Sequence, residues 1–69
     1  MDEWLAKRAE VLGASVNDDE ARTLLELAKL AAHTSGERTN APLLCYLLGV
    51  AVGRGKSLDE LAEAVTSTS

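Results

Sequence analysis

The chain holds one imidazole, His33, and one thiol, Cys45, and together they raise the question of a base and a nucleophile working as a pair. Their settings give structural answers instead. Cys45 stands in an apolar run one helical turn before Gly49, where a small buried thiol packs well, and His33 falls near the end of a helical segment, where a partly positive ring complements the helix dipole. No catalytic residue is assigned. A single His with no second His or Cys at ligand spacing gives too few of the groups transition metals prefer, so no metal and no cofactor is expected. The basic turn GRGK, Gly53 to Lys56, resembles a fragment of a phosphate-binding loop, but it lacks the preceding strand and the full spacing and reads as a helix-to-helix turn.

Binding is the chemistry the remaining residues allow. Arg8 sits among Trp4, Leu5, Val11 and Leu12, where it can stack on the indole, bind an anion, or lay its stem along the edge of a core with its head in water. Glu37 and Arg38 lie in a polar connection that begins at His33 and ends at Pro42. Such loops between rigid helices are where binding residues concentrate, although an internal contact of either charge would equally tie the loop down. Leu30 falls off the apolar stripe of its helix, and Tyr46, Gly49 and Gly53 lie on an apolar one. These four are the candidates for self-association.

The elements that position these residues are helical, since apolar and polar residues nowhere alternate for long. A first helix is expected from about Asp2 to Leu12, with acids in its first turn and Gly13 as a left-handed terminator. Asn17 and Glu20 form a capping box that opens the second helix. Its apolar stripe is Ala21, Leu24, Leu25, Leu27, Ala28, Ala31 and Ala32, and Glu26 is placed to pair with Arg22 or Lys29. A loop follows from Thr34 to Asn40. The third helix starts at Ala41 and Pro42, where proline is tolerated, and runs to about Val52. It is apolar all round, so it is expected to be central or pressed between layers, with Cys45, Gly49 and Gly53 forming a small-residue groove for a close helix contact. Ser57 and Glu60 provide the cleanest capping box, ahead of a fourth helix from about Leu58 to Val65 and a frayed TSTS tail. The expected architecture is all-α, a compact bundle of four short helices in a single domain over residues 1–69.

Composition limits the function classes. The 69 residues contain seven Lys and Arg against eleven Asp and Glu, a net charge of −4, with 46% apolar and 26% charged residues. An acidic chain without a basic face is not expected to bind nucleic acid, and the third helix is too apolar to serve as a recognition helix in a groove. The apolar stretch from Ala41 to Gly53 falls short of the roughly 18 to 20 residues a membrane span needs. With no pairing partner for Cys45 and an acidic, amphipathic start in place of a signal segment, a soluble cytoplasmic protein is expected.

The run from Leu24 to Gly53, with LLELAKLAAH, then ER, AP and LLCYLLGVAVG, resembles a small all-helical bacterial domain family of unassigned function. Members of that family occur alone or fused to the C-terminal side of molybdenum cofactor guanylyltransferase. The matching positions are His33, Arg38, Ala41, Pro42 and Gly49, and the resemblance implies no catalytic role for them. It implies instead a non-catalytic interaction module, accessory to molybdenum cofactor biosynthesis, that meets a protein partner or a second copy of itself. The alternative from the residues alone is a small anion or nucleotide-type ligand held by Arg8, His33 and Arg38 near helix ends.

Overall fold

The computed structural model describes residues 2–68 and arranges them as four α-helices, with no strand among the described residues. They are α1 (Glu3–Leu12), α2 (Asp18–Ser35), α3 (Asn40–Gly53) and α4 (Leu58–Ser67). The all-α, four-helix expectation holds.

Local chemistry explains where each helix starts and stops. Asp2 caps α1 by accepting from the Leu5 N–H at 2.8 Å. Gly13 ends it at φ 69°, a conformation cheap only for glycine, with the Ala14 N–H reaching back to the Ala9 carbonyl at 3.0 Å. The box at the head of α2 closes in both directions, the Glu20 N–H on Asn17 Oδ1 at 2.8 Å and the Asn17 N–H on Glu20 Oε1 at 2.9 Å. At α4 the expected box is one-sided: Ser57 Oγ accepts from the Glu60 N–H at 3.5 Å, the limit of a hydrogen bond.

Two helices run further than their sequences suggest, for one reason. Thr34 and Ser35 donate their hydroxyls to the Leu30 and Ala31 carbonyls one turn back, so these residues extend α2 instead of opening a loop. Gly36, at φ 74°, then terminates it. In the same way Thr66 donates to the Ala62 carbonyl and Ser67 to the Ala64 carbonyl, so these two residues of the expected frayed tail belong to α4, Thr68 caps it, and Ser69 lies outside the described residues. The connection before α3 therefore shrinks to residues 36–39. No side chain caps α3; the Asn40 and Ala41 N–H groups bond to the Glu37 and Arg38 carbonyls at 3.1 and 3.2 Å. Pro42 comes third and has no N–H, which leaves the first turn one donor fewer to satisfy.

Packing centres on α2 against α3, with α4 against both, while α1 packs on none of the other three helices. Among the described residues only Leu27 of α2 and Leu48 of α3 are buried, at 5% and 4% exposure. The apolar stripe of α2 turns out to be divided between two partners. The Leu24 carbonyl lies 4.0 Å from Cys45 Sγ on α3, and Thr23, Leu27 and Leu30 border a hollow with Ala62 and Thr66 of α4. Leu30 is consequently half-buried and Leu25, which helical periodicity turns about 160° from Leu27, is exposed. The radius of gyration, 12.3 Å, exceeds the about 11 Å expected at this length, as a helix standing off the packed three requires.

So small a core makes each buried leucine matter. Leu48→Ala is expected to remove about 2–5 kcal/mol, most of the stability of a domain this size, and Asn17→Ala about 1 kcal/mol. Ser57→Ala should cost less than Asn17→Ala. Urea unfolding followed by circular dichroism ranks the three, and an equal cost for the two caps would contradict the geometry.

Candidate functional site

The expected binding residues do not gather. On α1 the Arg8 guanidinium lies 4.2 Å above the Trp4 ring and Nη1 donates to the Trp4 carbonyl at 3.4 Å. Of the three readings open to Arg8, the stacked one is realised, and there is no core edge for its stem to follow because α1 borders none. His33 is exposed on the last full turn of α2, beside a shallow depression formed with Glu26, Lys29 and Leu30. Arg38 is exposed in the loop between α2 and α3. None of the described hollows is lined by more than one of Arg8, His33 and Arg38. Among the described residues, no group of His, Cys, Asp and Glu is arranged to hold a metal ion.

The loop itself is held by other means than its charges. Ser35 Oγ bonds to the Ala31 carbonyl and accepts from the Glu37 N–H at 3.2 Å, and the Gly36 N–H bonds to the Ala32 carbonyl at 3.1 Å. Glu37 and Arg38 are both exposed and form no ion pair among the described residues. Neither contact expected for Glu26 forms there either: Arg22 pairs with Asp19 at 3.2 Å, across one turn. The side chains of Glu37 and Arg38 are thus presented on a hydrogen-bonded backbone just ahead of α3.

What the structure does assemble is a surface on α3. No residue of Asn40–Gly53 is charged, and α2 and α4 cover only one side of the helix. Leu44, Cys45 and Ala51 are half-buried around Leu48. On the opposite arc Pro42, Leu43, Tyr46, Leu47, Gly49 and Gly53 are all exposed, Tyr46 at 71% and Leu47 at 62%. Tyr46, Gly49 and Gly53 recur at three- and four-residue spacing and share one stripe. Leu30, grouped with them from sequence, lies elsewhere, between α2 and α4.

The small-residue groove forms, but nothing of this chain fills it. Beyond the backbone of its own helix and its chain neighbours, a Cβ on Gly49 or on Gly53 meets nothing within 4 Å among the described residues. The groove opens into an apolar hollow of about 310 Å³ bordered by Val16, Leu24, Leu48, Gly49, Val52 and Leu58. Sequence reasoning placed α3 in the centre or between layers and did not identify Leu43 and Leu47 as surface residues. The signal was the absence of charge over fourteen positions, which shows that a helix needs covering on every side but not what covers it.

A small all-helical domain with a hydrogen-bonded charged loop and an uncovered apolar helix face is the class this architecture defines. The chain belongs to the DUF6457 family, described as a domain of unknown function, whose model matches residues 1–69. Neither the curated proteins nor the solved structures provide a match.

The open space at Gly49 makes a sign prediction. Gly49→Ala should stabilise the isolated chain by about 0.5–1 kcal/mol, because alanine favours a helix interior and its methyl meets nothing. Thermal and urea unfolding at high dilution measure it; destabilisation would mean that space is occupied.

Proposed function

We propose that the chain is a non-catalytic helical interaction module, accessory to molybdenum cofactor biosynthesis in the cytoplasm, that works through the outer face of α3 and the adjoining loop from His33 to Pro42. The observation that carries this reading is the uncovered apolar arc of α3. An exposed contiguous patch of this kind is the usual mark of a surface made for contact. Glu37 and Arg38 flank it as charges that steer and register a partner, a role in which rim charges contribute more to specificity than to affinity. The link to the cofactor rests on the sequence resemblance at His33, Arg38, Ala41, Pro42 and Gly49, and the partner it points to is the guanylyltransferase that such domains accompany.

An anion site built from Arg8, His33 and Arg38 draws no support from the geometry, since the stacked Arg8 belongs to a helix remote from the packed core. The acidic net charge and the uncharged α3 likewise favour a protein partner over nucleic acid, and no described helix is long and apolar enough to cross a membrane.

Titration of the purified chain into purified molybdenum cofactor guanylyltransferase tests the proposal by calorimetry. Saturable binding is expected, weakened about tenfold by Arg38→Glu. No binding, together with normal molybdoenzyme activity in a deletion strain grown on limiting molybdate, would overturn it.

A further inference from the structure

The structure leaves two apolar surfaces unpartnered in one small chain. One is the outer arc of α3 with its open Gly49 and Gly53 groove. The other is α1, an amphipathic helix whose apolar residues Trp4, Leu5, Val11 and Leu12 are all exposed, Trp4 at 64% and Val11 at 85%. Helical spacing puts those four on one stripe, with Arg8 folded onto the Trp4 ring so that its charge is partly screened by the indole. A helix without a groove and a groove without a helix are complementary in kind. The first needs an apolar surface to lie on, and the second has the glycines that let a helix backbone come close.

The surface area supports a pairing with a copy of the same chain. The chain exposes 5431 Å², whereas a folded monomer of its mass, 7.3 kDa, exposes about 4,200 Å². The excess, roughly 1,200 Å², is more than the about 800 Å² that each partner buries in a stable interface. α1 does not lie on its own α3 and packs on no other helix. The left-handed Gly13 cap closes one end and the Asn17 capping box the other, leaving only Ala14, Ser15 and Val16 between them. Those three residues border the same hollow as Gly49 and Gly53, so the connection passes beside the groove that its own helix leaves empty.

We propose that the chain is completed by a second copy of itself, in a twofold pair where α1 of each protomer lies across the Gly49 and Gly53 face of the other's α3. The arrangement is isologous and closes on itself, so it gives a dimer and not a filament. It rests on the interaction-module reading and deepens it by making a second copy, in place of the guanylyltransferase, the occupant of the α3 face. The loop from His33 to Pro42 then remains for the other partner.

Light scattering coupled to size-exclusion chromatography, with Trp4 fluorescence over a dilution series, tests the pairing. Trp4 is the only tryptophan, so its emission reports α1 directly. A particle of twice the chain mass is expected, with emission that shifts to the red as dilution separates the pair. Gly49→Leu, which adds bulk only where this chain leaves space, should raise the dissociation constant at least about tenfold while the helical circular dichroism persists. Leu5→Glu and Leu12→Glu alter side chains that are already exposed, so they should dissociate the dimer without unfolding a protomer. A wild-type monomer at every concentration overturns the pairing, as does a dimer insensitive to the α1 substitutions. A monomer that still binds the guanylyltransferase would overturn the pairing and leave the interaction module standing; a monomer that binds nothing would remove both.

Discussion

A helix of fourteen residues without a charge must be covered, and this chain has the means to cover only half of one. α3 presents apolar side chains through the full turn, yet α2 and α4 together reach one side of it. Leu48 is buried where they do, and Leu43, Tyr46 and Leu47 stay in water where they do not. The rest of the molecule follows from that contact. α2 is the longest helix because it carries both the Leu24 side that meets α3 and the Leu30 side that meets α4. The short loop at residues 36–39 returns the chain antiparallel at once, and the turn after Gly53 brings α4 against the same pair. With Leu27 and Leu48 the only buried side chains among the described residues, the domain holds little free energy in reserve. A contact that covers α3 would therefore stabilise the fold as well as make a complex.

The charges of the molecule serve its helix ends. Asp2 and Glu3 stand at the head of α1, Asp18, Asp19 and Glu20 at the head of α2, and Asp59 and Glu60 at the head of α4. Each group meets the positive end of a helix dipole, which accounts for seven of the eleven acidic residues without any ligand. The open hollow bordered by Asn17, Asp19, Glu20, Ser57 and Asp59 is the place where two of these heads come together. α3 is the exception, with neither a side-chain cap nor an acid in its first turn. Its opening is made instead by backbone bonds from residues 37 and 38 and by a proline, which leaves the charges of Glu37 and Arg38 unspent on structure. The polar chemistry of the sequence is thus concentrated on stability at three helix heads and left available at the fourth.

Local signals were legible because they act over three or four residues. Gly13 in the left-handed region, the Asn17 and Glu20 box, Pro42 in a first turn and the helical period itself can each be read from spacing, and each stands as read. The misreadings at Thr34, Ser35, Thr66 and Ser67 have a common origin. Their hydroxyls can bond either to a turn or to a carbonyl one turn back, and residue type does not choose between the two. The candidate site was legible in part: Tyr46, Gly49 and Gly53 belong to one exposed stripe, while Leu30 does not and Arg8 is occupied by Trp4.

Sequence alone determined that the chain is helical, where most helices begin and end, and that one of them is too apolar for water. Tertiary structure alone decided which faces found partners. Whether Leu25 or Leu30 turns inward depends on the angle at which α4 crosses α2, and whether Gly49 is filled depends on where α1 points. Both are relations between elements distant along the chain, and the apolar periodicity within a helix is the same whether its face meets another helix, a second molecule or solvent.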